Sequence, residues 1–287
     1  MRLLSFHADN RDRFGLASDD GVVDLSARMG PATESLDALI FGQGLARAKE
    51  YSQDQAIDFG FDDIEFLPPI ARPGKIICIG VNYGNRNAEY RDNTDAPKYP
   101  SVFMRTTESL VGHQQTIMRP PESEQLDYEG EIVLVIGKPG RRIARESAWD
   151  HVAGLSLMNE GSVRDWLRHA KFNVTQGKNF ERSGAWGPWI QTPEDLSLKS
   201  NLHLSTTVNG ELRQDDTTDN LIFPFDYLIS YLSSFMPLQP GDIIATGTPT
   251  GAGARFDPPK YLQAGDVVNV QVPELGMLEN SVKDEVV

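Results

Sequence analysis

The chain has 287 residues, 39% of them hydrophobic and 24% charged, which is enough to bury the core of one large domain or two modest ones. Its formal net charge of −14 argues against a nucleic-acid partner, because an acidic surface repels the phosphate backbone. No apolar run approaches the roughly 20 residues of a transmembrane helix, and the first residues lack the apolar region of a secretion signal. We therefore expect a soluble, cytoplasmic protein with no membrane partner.

The chain begins with a segment that reads as a small unit of its own. Short β-like runs are predicted at Leu3–Phe6, Phe14–Ala17 and Val22–Leu25. A helical stretch over Leu36–Tyr51 follows and is interrupted by glycines. Leu67–Gly74 then holds three prolines and a glycine, a composition typical of an extended connector. The sequence thus predicts a small N-terminal domain over 1–66 and a catalytic domain over 75–287.

The larger unit is predicted to be rich in β-strands. Buried strands are expected at Lys75–Val81, Tyr128–Gly137, Val152–Met158, Asp242–Thr246 and Val267–Val272. Asn209-Gly210 between β-prone arms predicts a hairpin. A short helix is expected within Ser162–Leu167, and apolar residues at helical spacing predict another over Phe225–Phe235. Together these elements indicate an α+β fold dominated by β-sheet.

Acidic residues occupy every second position at the start of one predicted strand. Because side chains alternate faces along a strand, Asp127, Glu129 and Glu131 should share one side, with neighbours about 7 Å apart. Carboxylates this close repel each other in a desolvated site unless a divalent cation lies between them. A metal site and the solvated face of an edge strand are both open interpretations of this pattern.

Three further segments are candidates for a site. Glu160 lies where a strand passes into a helix, with Arg164 four residues later on the same helical face. Lys178 is surrounded by glycine, asparagine and aromatic residues, where an ammonium group can stabilise an enolate or a carboxylate. The loop Ala245–Ala254, rich in glycine and threonine, offers backbone N–H groups to an anion. Each segment also has a structural interpretation, as a helix start, a solvated lysine and a tight turn.

Other common chemistries lack their motifs. The five histidines form no His-Glu-x-x-His pair, which argues against zinc. No Gly-x-Ser-x-Gly elbow is present, which argues against a serine hydrolase. The single cysteine, Cys78, lies in an apolar run and is expected to pack as a small hydrophobic residue. The carboxylate pattern therefore carries most of the functional information.

In this order, the segments resemble the fumarylacetoacetate hydrolase family over roughly Lys75 to Glu285. The motifs that carry the resemblance are Ile79–Tyr83 with Glu89, Asp127–Glu131, Asn159–Asp165, Gly177-Lys178, Gly187–Trp189, Asn209-Gly210, Pro240–Asp242 and Thr246–Pro249. The resemblance implies the family's mixed β-sandwich roll preceded by a small N-terminal α/β domain. It also implies a homodimer.

The resemblance further implies a divalent cation and a small oxo-acid substrate. The implied cation is Mg²⁺, with Mn²⁺ or Ca²⁺ as alternatives, and its ligands map onto Glu129, Glu131 and Glu160. Glu160 is one methylene longer than the aspartate usual in the family, which bears on metal distance and choice. The substrate contacts implied or expected around this set are Tyr83, Arg105, Gly247 and Thr248.

The predicted catalytic residues are Lys178, Arg164, Glu89 and His113. Hydrolytic members of the family carry a His and a Glu three residues apart, a pair that activates water. Here Arg86 stands at the histidine position and Glu89 remains. Arginine cannot act as a base near neutral pH, so Glu89, the metal or His113 would have to activate water.

The main hypothesis is a metal-dependent hydrolase that cleaves a C–C bond in a small 2,4-dioxo acid, of the acylpyruvate or diketo sugar-acid type. The alternative is a tautomerase, isomerase or decarboxylase acting on an oxo dicarboxylate, similar to 2-hydroxyhepta-2,4-diene-1,7-dioate isomerase. This alternative needs the same metal and Lys178 but no activated water. A third possibility is a binding protein that keeps the fold without catalysis.

Overall fold

A computed structural model of the protein describes residues 1–30, 33–42, 44–51, 56–84, 97–171, 173–195 and 201–287. The strands of the leading segment are β1 (Arg2–Ala8), β2 (Arg11–Ala17), β3 (Val22–Asp24) and β4 (Glu65–Leu67). Its helices are α1 (Leu36–Phe41) and α2 (Leu45–Lys49). The predicted β-runs and the interrupted helix are therefore confirmed in this segment.

Most of the remaining chain is β-structure. Its strands are β5 (Ile76–Gly80), β6 (Ser101–Arg105), β7 (Leu110–Val111), β8 (Ile117–Arg119), β9 (Leu126–Asp127), β10 (Gly130–Ile136), β11 (Val152–Asn159), β12 (Ser162–Val163), β13 (Gly184–Gln191), β14 (His203–Val208), β15 (Glu211–Thr217), β16 (Ile243–Ala245), β17 (Val267–Val272) and β18 (Gly276–Asp284). Its α-helices in the described residues are α3 (Thr175–Lys178) and α4 (Phe225–Phe235). Short 3-10 helices lie at Phe61–Asp63, Thr107–Ser109, Arg145–His151, Arg164–Arg168, Pro193–Asp195, Thr218–Asn220 and Gly253–Arg255.

Two stacked sheets form the core. Within the described residues, the larger sheet has 11 strands, with the order β3-β2-β1-β13-β11-β10-β16-β5-β6 and with β4 and β7 paired to its side. The second sheet has the order β15-β14-β17-β18-β8. The pairs β16–β5, β13–β7 and β18–β8 are parallel and the others antiparallel. This mixed β-sandwich, with few helices, confirms the expected fold class.

Strand β10 shows how the two faces of the larger sheet are used. Its side chains alternate, so that Leu134 packs into the core between the two sheets, together with α4. Val133 and Val135 point to the opposite face, where the helices and strands of the leading segment cover the sheet. Strands of residues 1–67 also join this sheet through β1 and β13. The division at 66 and 75 stays a prediction.

The structure contains the hairpin turn and the amphipathic helix that the sequence predicts. Asn209 and Gly210 connect β14 to β15 with φ angles of 52° and 78°, the left-handed pair that a tight hairpin turn requires. Helix α4 buries its apolar stripe, which includes Leu228 and Leu232. None of the described helices is long and apolar enough to cross a membrane.

We expect Leu134→Ala to lower the free energy of unfolding by about 2–5 kcal/mol, because Leu134 is fully buried opposite Leu155 and Ile244 on the neighbouring strands. Urea unfolding followed by tryptophan fluorescence measures this loss. Leu212→Ala is the matched control, since Leu212 is 55% exposed, and it should change stability by no more than about 0.5 kcal/mol. Equal losses in the two variants would contradict this description of the core.

Candidate active site

A cavity of about 580 Å³ opens between the ends of β5, β6 and α3. One wall comes from residues 101–106, which form the edge strand β6 and the residue that follows it. Another comes from α3 and the residues on either side of it. Its charged lining consists of Glu129, Glu131, Glu160, Arg105, Arg164 and Lys178. The structure thus brings together residues from positions as far apart as Ile79 and Thr248.

Three carboxylates are positioned by the pairing of β10 with β11. Glu131 is the second residue of β10, Glu129 comes directly before this strand, and Glu160 comes directly after β11. The ladder is locked at this end, because the Glu160 N–H donates to the Glu129 carbonyl at 2.7 Å. The Asn159 side-chain oxygen accepts a hydrogen bond from the Glu129 N–H at 3.0 Å. All three glutamates are at most 4% exposed, so their positions are fixed and largely shielded from water.

Lys178 and Arg164 bind two of these carboxylates, those of Glu129 and Glu160. The Lys178 ammonium donates to Glu129 Oε2 at 2.5 Å and to Glu160 Oε2 at 2.9 Å. Arg164 donates from Nε to Asp127 Oδ2 at 2.7 Å and from Nη2 to Glu129 Oε1 at 2.9 Å. Asp127 itself does not line the cavity and serves to orient Arg164.

The charges perturb one another strongly. Burial alone would lower the pKa of Lys178, but the charges of Glu129 and Glu160 outweigh it and raise this pKa above its ordinary value. Arg164 shows the same balance, with Glu129 and Asp127 raising its pKa. Burial raises the pKa of Glu131 well above its usual range, and the nearby charges of Glu160 and Glu129 raise it further. The shifts of Lys178 and Arg164 thus favour their charged forms beside these carboxylates.

The loop of threonine and glycine residues after β16 donates hydrogen bonds to the strand that carries the carboxylates. The Gly247 N–H donates to Glu131 Oε2 at 2.8 Å, so the anion that it binds is a carboxylate of the protein itself. Thr248 lines the cavity, and its hydroxyl donates to the Gly130 carbonyl at 2.9 Å. The loop therefore fixes the start of β10, which the sequence did not predict.

Some predicted residues are not brought to the cavity. His113 packs edge-on against Phe66, and its Nδ1 accepts a hydrogen bond from the Glu279 N–H at 3.0 Å. Tyr83 is buried beside Leu221, outside the described lining of the cavity. His113 as a water-activating base is therefore not supported by the geometry, because its ring lies outside the described lining of the cavity.

The other two predicted residues to place are Arg105 and Glu89. Arg105 reaches the cavity wall, but its guanidinium group is fully buried and bound to protein acceptors, which does not leave it free for a substrate. Glu89 and Arg86 lie outside the described residues. The role predicted for Glu89 stays a prediction.

Two residues that the sequence did not single out support the site. The Ser162 hydroxyl donates to Glu129 Oε2 at 2.8 Å. Buried Gln214 accepts from the Gly130 N–H at 2.9 Å and donates to Thr248 Oγ1 at 2.8 Å. Ser162 lies two residues after Glu160, so its place in the sequence could have pointed to it. Gln214 lies in β15 of the other sheet, and no sequence motif near it indicates a role in the site.

The donor set has the chemistry of a site for a hard divalent cation, because it offers buried carboxylate oxygens on one wall of a cavity. Glu129 and Glu160 lie close enough to share one ammonium group, and their charges add to the burial that raises the pKa of Glu131. Among the described residues, however, no three acidic, histidine or cysteine side chains are already gathered around one point. The Lys178 ammonium bridges Glu129 and Glu160 instead. The residues therefore fit a divalent cation in kind, and the bridging ammonium would have to give way to it.

The sequence of residues 75–283 matches the family model described as fumarylacetoacetate (FAA) hydrolase C-terminal. The chain belongs to the fumarylacetoacetate hydrolase family. It is 37% identical to a mitochondrial oxaloacetate tautomerase of Xenopus laevis over 98% of this chain and 90% of the relative. It is 39% identical to the oxaloacetate tautomerase YisK of Bacillus subtilis over 78% of this chain and 75% of the relative.

A solved structure of the family extends the comparison to a ligand complex. Maleylpyruvate hydrolase from Sphingobium sp. SYK-6, in complex with manganese(II) and pyruvate, aligns over 100% of both chains with a TM-score of 0.82 and 26% identity. Enzymes of this fold thus include both tautomerases and hydrolases of small oxo acids. The family and the fold expected from the sequence are confirmed.

Burial lowers the pKa of His113 from 6.5 to about 4. Because the unfolded chain takes up a proton first, the stability that depends on neutral His113 is complete above pH 6.5 and is lost as the pH falls toward 4. We expect His113→Gln to flatten the pH dependence of the free energy of unfolding in this interval, as measured by urea titration. Above about pH 7 the two proteins should run parallel. Equal slopes below this pH would contradict the prediction.

Proposed function

We propose that the protein is a metal-dependent tautomerase that interconverts the keto and enol forms of a small 2-oxo dicarboxylate of the oxaloacetate type. The observation that carries this proposal is the composition of the cavity. Its described lining combines buried carboxylates with Lys178 and Arg164 and contains no histidine. Such a site can bind an anion and stabilise an enolate, while the usual imidazole base for water is missing from the part of the wall that the structure describes. Similarity to two oxaloacetate tautomerases supports the same choice.

Hydrolysis of a C–C bond in a 2,4-dioxo acid, the main hypothesis from the sequence, is the second candidate. The similarity to maleylpyruvate hydrolase along the whole chain favours it. It requires an activated water in addition to the enolate-stabilising groups. Arg86 at the position of the usual histidine weighs against that requirement.

Tautomerisation requires that a proton moves between carbon and oxygen and that the negative charge of the enolate is stabilised. From keto to enol, a proton leaves C3 for the base, the electron pair of the broken C–H bond forms the C2=C3 double bond, and the π pair of the C2=O bond moves to the oxygen. This oxygen then takes up a proton from water. Without a bound cation, Lys178 uses two of its three N–H donors on Glu129 and Glu160. Once the ammonium has given way to the cation, its donors can serve the oxygen on which charge develops. The raised pKa of Lys178 keeps it a hydrogen-bond donor throughout. Glu89 is our candidate for the base at C3.

Arg164 is suited to hold a carboxylate of the substrate. Its Nε and Nη2 are bound to Asp127 and Glu129, and its Nη1 has no protein acceptor among the described residues. A planar guanidinium fixed in this way presents a preorganised donor toward the cavity. Binding through Arg164 and Lys178 would therefore orient the oxo acid before the proton moves.

Glu129, Glu131 and Glu160 would hold a divalent cation, with Mg²⁺ or Mn²⁺ as our candidates. When bound, the cation would polarise the 2-oxo group and favour charge on its oxygen. We also retain as proposals the homodimer and the cytoplasmic location that the sequence analysis suggested.

The test of the function follows the ultraviolet absorbance of the enol after oxaloacetate is added with Mg²⁺ or Mn²⁺, and then with chelator. We expect relaxation between enol and keto forms well above the rate of an enzyme-free control with the same metal, and loss of this excess on chelation. Product analysis separates the alternatives. Two acids formed from acetylpyruvate would establish the hydrolase instead, and pyruvate formed from oxaloacetate would indicate a decarboxylase.

Replacing Lys178 tests the enolate-stabilising role. We expect Lys178→Gln to lower kcat for tautomerisation by about 10²-fold or more, because a neutral amide cannot replace the cation next to the developing charge. Lys260→Gln is the matched control, since Lys260 pairs with Glu211 on the surface, and it should leave kcat unchanged. Thermal unfolding of both variants checks the fold. A folded Lys178→Gln enzyme with full activity would exclude this role.

A further inference from the structure

Arg105 differs from the other two cations of the cavity in how its donors are used. A guanidinium group has five N–H donors. Nε donates to Ser109 Oγ at 3.1 Å, and Nη1 donates to Glu160 Oε1 at 3.2 Å and to the Gly161 carbonyl at 2.7 Å. Nη2 donates to the Ser109 carbonyl at 3.3 Å and to Ser183 Oγ at 3.1 Å. Five donors thus meet five acceptors, and the side chain is 0% exposed.

These acceptors come from three separate parts of the chain. Ser109 ends the 3-10 turn after β6, Glu160 and Gly161 follow β11, and Ser183 directly precedes β13. The packing around them leaves no room for larger residues. A Cβ added at Gly161 would lie 1.8 Å from the Ser183 carbonyl oxygen, and one at Gly184 would lie 3.1 Å from Arg105 Nη2. Arg105 therefore connects three segments behind the wall of the cavity.

Of these contacts, the one with Glu160 links Arg105 to a candidate ligand of the divalent cation. Glu160 Oε1 is held by Arg105, and Glu160 Oε2 is held by Lys178. The same Arg105 Nη1 also holds the neighbouring Gly161 carbonyl, so the side chain and the backbone at this turn are fixed by one nitrogen. Because Arg105 and Lys178 each hold one oxygen of the Glu160 carboxylate, and Arg105 also holds the next backbone carbonyl, this carboxylate has little freedom to rotate.

We infer that Arg105 is a positioning residue that fixes the Glu160 carboxylate for the divalent cation and does not bind the substrate. The inference rests on the proposed function in its use of the cation. A loss of Arg105 would allow Glu160 to rotate away, because Lys178 alone would remain as its partner. The effect should therefore appear in metal affinity and in kcat, with little change in the affinity for substrate.

Arg105→Lys keeps the charge but offers three donors in place of five. We expect this variant to bind Mn²⁺ about 10- to 100-fold more weakly, measured by electron paramagnetic resonance of the free ion without any substrate. At saturating Mn²⁺, kcat for tautomerisation should fall while KM changes by less than about threefold. Arg13→Lys is the matched control, since Arg13 is also a buried arginine and is paired with Asp24 in the leading segment. It should leave Mn²⁺ affinity within about twofold of the original.

Ser183→Ala is a milder variant in case Arg105→Lys does not fold. It removes one acceptor of Nη2 and keeps the arginine, and we expect a smaller loss of Mn²⁺ affinity in the same direction. Unchanged Mn²⁺ affinity in the folded variants, or a raised KM as the main effect, would overturn the inference and make Arg105 a substrate ligand. Absence of Mn²⁺ binding by the original protein would also overturn it. A protein that binds Mn²⁺ but does not tautomerise oxaloacetate would refute the proposed function, and the Mn²⁺ titrations would still decide the role of Arg105.

Discussion

Burying charge is the constraint on which this structure depends, because a carboxylate removed from water is costly unless an opposite charge replaces the water. Four carboxylates are buried around the cavity, those of Asp127, Glu129, Glu131 and Glu160. Three cations are paired with them, Arg105, Arg164 and Lys178. The carboxylates outnumber these cations by one, and Glu131 has no cationic partner among the described residues. Burial raises its pKa well above the usual range, and the charges of Glu160 and Glu129 raise it further. A bound cation would relieve this excess, which links the stability of the site to its chemistry.

The backbone around the cluster is built to keep these charges in place. Gly130 lies between Glu129 and Glu131, and a Cβ added there would lie 2.1 Å from Thr206 Oγ1. The second sheet therefore packs directly onto the strand that carries the carboxylates. Gln214 from this second sheet fixes the same glycine through its N–H. The site is thus rigid because both layers of the sandwich meet at this point.

Part of this arrangement could be predicted from the sequence and part could not. Period-two alternation in β10 was sufficient to place Glu129 and Glu131 on one face, because the alternation of strand side chains is a local property. The strand β13 was missed, since Pro188 within it lacks an N–H and the ladder with β11 is irregular there. The part played by Arg105 could not be predicted either. Its acceptors Ser109 and Ser183 are brought together only by the fold.

The pairing of β1 with β13 has a consequence for how this chain can be divided. β13 is hydrogen-bonded to β11, to β7 and, at Ile190 and Gln191, to β1, so the leading strands supply one of its three neighbours in the part of the chain that the structure describes. The apolar cluster on that face also mixes residues of both parts, including Leu3 and Trp186. A shortened chain that began at 75 would expose the edge of β13 together with this apolar surface, a combination that favours aggregation. Evolution could therefore exchange the leading segment for another only if the replacement also contributed a strand to the sheet.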